Sequence, residues 1–324
     1  MRRIYLFLFL ISCATFLSAQ ESRSVFNFLS LPSSSHAVAL GGNNISLIEN
    51  DASLTFHNPA LLSSVDDNSL NLNFMTYMKG SKMGSAAFSK IAGERGTWGV
   101  NAQFVGYGSI KETLESGEIV GDSQMLDMAL SGMYSYNLTD HWVGGVTAKF
   151  IYSKYAGYNS CALAADLGIN YFDADKDFSF SAVAANLGGQ VKAFGDEHER
   201  IPFNLSVGFT KGIAHAPIRV SVTLNDLTRW SKDYFYSPED EPGFGRILMN
   251  HLNIGAEFLP TSQTYIALGY NFRRASEMKA AGSSHAAGFT CGAGITLKRF
   301  KLGVAYAKYH VSVPSLSFSL GYSL

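Results

Sequence analysis

The chain has 324 residues, a formal net charge of −1 and only 16% charged residues, against a usual ~25%. Near-neutrality gives no footing for nucleic acid or for a basic membrane-surface mode. Such a low charge content is unlike the surface of a soluble protein this long, whereas a barrel with a broad band in lipid needs no more.

The first residues read as an export signal. Met1, Arg2 and Arg3 form a positive start, Ile4 to Leu17 is apolar, and Leu17-Ser18-Ala19 places small residues before Gln20. Cleavage is expected after Ala19, so residues 1–19 form the leader. Leu10-Ile11-Ser12-Cys13 also fits a lipoprotein box, which would leave Cys13 lipidated. The apolar run continues past Cys13, which favours ordinary cleavage. No later stretch is both long and apolar enough for a transmembrane helix, which needs ~18 or more predominantly apolar residues.

Residues 20–67 hold short apolar pieces, the pair Gly41-Gly42 and the tight Asn58-Pro59-Ala60. Pro59 has no amide proton and biases Asn58 toward an extended shape. This segment is expected to fold inward as a plug.

From Asn68 to Leu324 the dominant signal is period-two alternation. Leu126, Met128, Leu130, Gly132, Tyr134 and Tyr136 share one face, as do Trp142, Val146, Ala148, Phe150 and Tyr152. Phe203, Leu205, Val207 and Phe209 follow, then Ile218, Val220, Val222 and Leu224. Leu252, Ile254, Ala256 and Phe258 lead to Thr264, Ile266, Leu268, Tyr270 and Phe272. The last strand is clearest, with Leu316, Phe318, Leu320, Tyr322 and Leu324 alternating with Ser315, Ser317, Ser319, Gly321 and Ser323. About fourteen segments of around ten residues suit tilted transmembrane strands. The weakest are Gly84–Ile91 and Asp177–Leu187. The expected fold is all-β, a transmembrane antiparallel barrel of about fourteen strands over residues 68–324, closed by the final strand.

The connections sort by length. Leu138–Asp140, Asp173–Lys176, Lys211–Ala216, Pro260–Ser262 and Lys298-Arg299 are short. Gly108–Asp122, Leu187–Ile201, Leu227–Leu248 and Arg273–Ser283 are long. Outer-membrane barrels have short periplasmic turns and longer external loops, so long loops are expected outside and termini in the periplasm. The inward positions are mostly Ser, Gly, Ala, Asn and Thr, which argues against a greasy interior.

No catalytic constellation emerges, and no enzyme activity, cofactor or metal is expected. Gly292-Ala293-Gly294 sits in an alternating strand without a third glycine or a following helix, and reads as small lumen-facing positions. Asp173-Ala174-Asp175-Lys176-Asp177 lacks the glycine and terminal glutamate of a calcium loop. His141, His198, His215, His251, His285 and His310 are expected at strand ends or in loops. Cys161 and Cys291, far apart, read as apolar strand residues rather than a disulfide. The most informative loop carries Arg229, Trp230, Tyr234, Phe235, Tyr236 and Phe244 among charges, a composition suited to a partner-binding surface or to a loop packed on itself.

Gly41-Gly42 followed by Asn58-Pro59-Ala60 resembles the plug of FadL-type outer-membrane barrels, which have fourteen strands. Phe26–Pro32 and Ser35–Gly42, with Ile201–Gly212 and Ala216–Trp230, are similar to the PorQ-type barrels of the type IX secretion system, along the whole length. His36 stands where an arginine is more usual, and Leu324 replaces a common terminal phenylalanine. The resemblance implies a non-enzymatic protein-secretion role in the outer membrane. Such a barrel anchors the cell-surface attachment complex, holding a PorZ-like surface protein beside PorU- and PorV-like proteins. The alternative is a FadL-like channel for hydrophobic small molecules, which needs an apolar pocket near the plug and a lateral opening in the wall.

Overall fold

The computed structural model describes residues 24–78, 80–113, 116, 119–231, 243–280, 282, 284–311 and 313–324. The expected leader, with Cys13 and Ala19, lies outside them. Fourteen antiparallel strands close into one barrel. They are β1 Ser69–Thr76, β2 Lys82–Ala92, β3 Gly96–Thr113, β4 Ile119–Asn137, β5 Trp142–Tyr155, β6 Tyr158–Asp173 and β7 Phe178–Lys192. The second half comprises β8 Asn204–Gly212, β9 Ile218–Leu224, β10 Leu252–Thr261, β11 Thr264–Asn271, β12 Phe289–Leu297, β13 Phe300–Ala307 and β14 Ser315–Ser323. Three short helices complete it: α1 Ser35–Ala39, α2 Phe244–Asn250 and α3 Phe272–Ala280. Among the described residues no helix is long and apolar enough to cross a membrane. The crossing is made by strands.

Alternation built this wall. Leu130, Val146, Phe150, Leu268 and Val304 point outward and are exposed, while their neighbours Ser131, Thr147, Ile151, Ala267 and Ala305 are buried in the lumen. On β14, Leu316, Phe318 and Leu320 face out while Ser315 and Ser317 face in. The strand pairs with β1 in the register Leu72↔Leu320 and Phe74↔Phe318, which closes the sheet and leaves no free edge in lipid. Tyr322 lies in the same strand, and Leu324 donates its amide to the Asn68 carbonyl just beyond it. Both barrel ends therefore lie at the mouth with the short turns.

Several expected boundaries shift. Gly108–Asp122, taken as a loop, is largely strand, because β3 and β4 stay paired to Thr113↔Ile119 past two irregularities in register. Leu187 is not a strand end, since β7 runs on to Lys192 paired with β6. Phe203 precedes β8 and Phe272 opens α3, where a helix replaces the expected loop. Length does not strictly separate the mouths either. β5 and β6 are joined at the long-loop end by Ala156-Gly157 alone, with Ala156 at φ 52°.

Residues 24–68 run through the lumen. Ser24 bridges to Arg200 in the β7–β8 connection, at the long-loop mouth. The chain then forms the 3₁₀ turn Asn27–Ser30, α1 capped by Ser34, and two more 3₁₀ turns, Ala52–Phe56 and Pro59–Ser64, before entering β1. Glycines in the wall give this backbone its seats. A Cβ on Gly145 would lie 2.3 Å from the Ala60 amide nitrogen, and one on Gly168 would lie 2.1 Å from Asn58 Oδ1. On the opposite wall a Cβ on Gly269 would meet the Gly41 nitrogen at 2.2 Å, and one on Gly292 would meet Ala39 Cβ at 2.7 Å.

These seats predict a selective effect. Gly145→Val and Gly168→Val should each destabilise the plugged barrel by about 1–3 kcal/mol through overpacking. Gly132→Val, whose Cβ would meet nothing within 4 Å, should be neutral. Midpoints of the heat-modifiable gel transition measure the difference.

Candidate functional site: the plugged lumen

Asn58-Pro59-Ala60 builds the lower plug. Asn58 is extended (φ −152°), its Oδ1 accepts from the Ala60 amide at 2.9 Å, and its Nδ2 donates to the Ile45 carbonyl at 2.8 Å. The side chain thus caps the turn at Pro59 and ties it to the preceding segment. Proline at the first position of the turn loses no hydrogen bond there. Leu61 and Leu62 are buried beneath it.

The lumen is zoned along its axis. At the short-turn half the inward residues are polar: Ser69, Asn71, Ser135, Asn170, Ser181, Thr210 and Glu257, all buried. Toward the long-loop half the inward set on β1–β6 and β13 turns apolar, with Met75, Met83, Val105, Ala129, Ile151, Ala162, Ala305 and Ala307 forming one buried cluster. The plug's Phe26 and Phe28 are buried in that cluster, with Leu29 and Leu31 against it. The polar interior expected from sequence is therefore half right. Four large apolar side chains, one each on β1, β2, β3 and β5, create a greasy compartment that a tally of the small residues conceals.

Below Phe28 lies an enclosed chamber of about 80 Å³, between Ser33, Asn43, Phe56 and His57 of the plug and Asn101, Gln103, Ser131, Lys149, Asn186 and Asn204 of the wall. That volume exceeds several times what one water needs. Burial, with Lys149 beside it, lowers the His57 imidazole to about 4, so this ring is neutral at ordinary pH. Lys149 is itself neutralised by Asp166 at 2.7 Å and bonded by Asn186 Oδ1 at 2.9 Å. Asn186, at φ 59°, also donates its amide to Asp166 at 2.8 Å, where the β6–β7 register slips. Higher up, Asp127 accepts from Tyr107 at 2.6 Å and Tyr155 at 2.7 Å, and from Ser153. Those donors satisfy a carboxylate that is 1% exposed.

On the β9–β14 side the contacts to the plug are charged. His36 bonds Glu257, Arg219 Nε donates to Glu257 at 2.7 Å, and Arg219 Nη2 reaches Glu49 at 2.6 Å. Thr290 donates to the Ala39 carbonyl at 2.7 Å, and Arg274 Nη2 to the Gly41 carbonyl at 2.8 Å. None of these wall residues stood out in the sequence. The signal available was a charged residue at an inward position of an alternating strand, which holds for Lys149, Asp166, Arg219 and Glu257. His251 sits at a strand end, just before β10, as expected, but it is 1% exposed rather than at the surface, bonding the Asn225 carbonyl at 2.6 Å.

Of the expected partner loop, Tyr234, Phe235 and Tyr236 lie outside the described residues. Trp230 and Phe244 come together at the long-loop mouth, stacked with centroids 6.1 Å apart. They are 40% and 73% exposed. Arg229 donates to the Phe203 carbonyl at 3.4 Å, on the wall side of that pair. A concavity of about 670 Å³ is on the opposite surface of the wall, between Leu72, Phe74, Ile295, Leu302 and Phe318. Its apolar side chains face acyl chains, and Asn73 and Ser319 of the inner face also border it.

No protein-family model matches the chain, and no curated protein matches it significantly. Among solved structures it is similar to the Pseudomonas putida toluene transporter TodX, with a TM-score of 0.55 and 13% identity over 93% of this chain and 99% of that one. The TodX deltaS2 mutant, a monoaromatic hydrocarbon channel, gives 0.54 and 12% over 90% and 98%. The CymD monoaromatic hydrocarbon channel gives 0.53 and 12% over 93% and 99%. At these identities the likeness is one of fold, a closed antiparallel β-barrel.

The neutral His57 gives a signed expectation. Its seated value, about 4, is below the 6.5 of a free ring, so the displaced plug binds the extra proton. Seating is strongest above that free value and weakens as pH falls through this window. The melting midpoint should therefore fall between about pH 7.5 and pH 4.5, and His57→Gln should flatten the dependence.

Proposed function

We propose that this chain is an outer-membrane barrel that admits small hydrophobic molecules through a lumen held shut by its own N-terminal segment. The observation that carries the reading is the apolar compartment of Met75, Met83, Val105 and Ile151, occupied by Phe26 and Phe28. An inner wall meeting only water would have no use for those side chains, whereas a hydrophobic solute would replace the two rings at little cost in buried area. A place of exit is also available. The β7–β8 ladder ends at Ala185↔Asn204, while β7 continues to Lys192 with β6 as its strand partner. Residues 193–203 cover that side through contacts such as Asn186 Nδ2 to the Pro202 carbonyl at 2.9 Å. The fold shared with hydrocarbon channels adds support.

The test is uptake of radiolabelled toluene and oleate by cells of a host lacking such a barrel. Expression should raise the rate for at least one of them, and Val105→Asp with Ile151→Asp should abolish the gain in a barrel that still migrates as folded. Equal uptake with and without the protein would sink the reading.

A second reading is the membrane mount, favoured by the exposed Trp230–Phe244 stack beside exposed Leu248 and Met249. Clustered exposed aromatics are what a protein partner buries. In this reading the barrel holds a PorZ-like protein, with PorU- and PorV-like proteins nearby, as the resemblance to PorQ-type barrels implies. Affinity purification from outer membranes should then recover such a partner in stoichiometric amount. Trp230→Ala with Phe244→Ala should release it.

A further inference from the structure

The plug meets the wall in two unlike ways. On one side four side chains form a continuous run from plug to wall and back: His36, Glu257, Arg219 and Glu49. The side chains of His36 and Glu257 are 6% and 1% exposed. The His36 ring is also stacked on Tyr265, with centroids 3.7 Å apart. On the other side, across the chamber, Ser33 Oγ, Asn43 Oδ1 and His57 Nε2 are buried without a hydrogen-bond partner. The arm that closes the apolar compartment also meets the wall through Val25, whose amide donates to the Arg200 carbonyl at 3.0 Å, through Gln103 Nε2 donating to the Phe28 carbonyl at 3.2 Å, and through Ser35 with Ser319. Its ion-pair contact is His36 with Glu257.

The lower contacts are independent of it. Residues Asn58–Ala60 rest on Gly145 and Gly168. Thr290 and Arg274 grip the carbonyls of Ala39 and Gly41, next to two glycines at φ +103° and +99°. That grip fixes a pivot, and in the arm before it, residues 24–38, His36 makes the ion-pair contact to the wall.

We propose that His36–Glu257–Arg219–Glu49 is a lock on this arm, with Glu257 as its pin. Removing the Glu257 charge leaves His36 and Arg219 buried without their shared partner, an arrangement relieved when the arm leaves the wall. The lower plug stays on its glycine seats. The inference concerns what keeps the arm in place, and it stands or falls separately from what the lumen carries.

The experiment uses the full chain with Cys13→Ala, Cys161→Ala and Cys291→Ala, and one reporter cysteine read with a water-soluble maleimide. Ser33→Cys reports the arm and Leu62→Cys the lower plug; the native residues are 2% and 0% exposed. Glu257→Gln is expected to raise labelling of the Ser33→Cys reporter at least about tenfold while the Leu62→Cys reporter stays protected. His36→Ala should do the same from the plug side, so the test survives if a wall variant fails to assemble. His36→Arg, which can still bond Glu257, should keep the parental rate. Unchanged labelling at position 33 in both Glu257→Gln and His36→Ala would overturn the lock. So would labelling at position 62 rising in step, which would mean general loosening.

Discussion

A fourteen-strand barrel encloses more space than its own inward side chains fill, and every backbone group at membrane depth needs a partner. The structure depends on how that space is filled. Residues 24–68 bring their own turns and caps, so some of their amides and carbonyls are bonded locally, as in Ala60 to Asn58 and Ala37 to Ser34, and wall side chains such as Thr290 and Arg274 bond others. They still have to approach the wall closely, and only glycine permits it. Gly145, Gly168, Gly269 and Gly292 are thus part of the plug's binding surface as much as of the strands. The wall that meets lipid outside is, inside, a mould for one particular segment.

Most of the wall was legible from the chain. Period-two alternation assigns inner and outer faces residue by residue, because a strand in lipid has no other way to arrange its side chains. The glycines at Gly292 and Gly294 were readable as small inward positions, and Asn58-Pro59-Ala60 as a tight turn. The long β3–β4 hairpin was not, because Gly106 and Gly108 interrupt the alternation and resemble loop residues. The lock was hidden for another reason. A lone charge in an alternating strand says that it faces in, but its partner is up to 221 positions away in sequence, as for His36 and Glu257, and nothing local announces it. The apolar compartment escaped because its members are contributed singly by strands that each look polar inside.

Polarity in the lumen is organised by distance from the plug. On the β9–β10 side the plug meets the wall with charges paired across the contact. Where it stands off, amides and hydroxyls of β3, β4, β7 and β8 line a small chamber, and where rings fill the lumen the wall turns apolar. The apolar zone packs its buried area and the charged run bonds its buried groups, whereas at the chamber Ser33 Oγ, Asn43 Oδ1 and His57 Nε2 are buried without a partner. Three chemically different environments are stacked within one barrel, so loosening one need not loosen the others.

The bridge between Ser24 and Arg200 has a consequence for assembly. The described chain begins at one mouth, traverses the lumen, and starts its first strand at the other. Threading such a segment through a finished ring would drag its backbone past fourteen strands of inward side chains. If the sheet curls around the segment, no threading is needed, and the β1–β14 seam, which joins the two ends of the barrel sequence, is the last to form. The plug is then a core laid down before its container, and the glycine seats are where the curling sheet first finds its register against it.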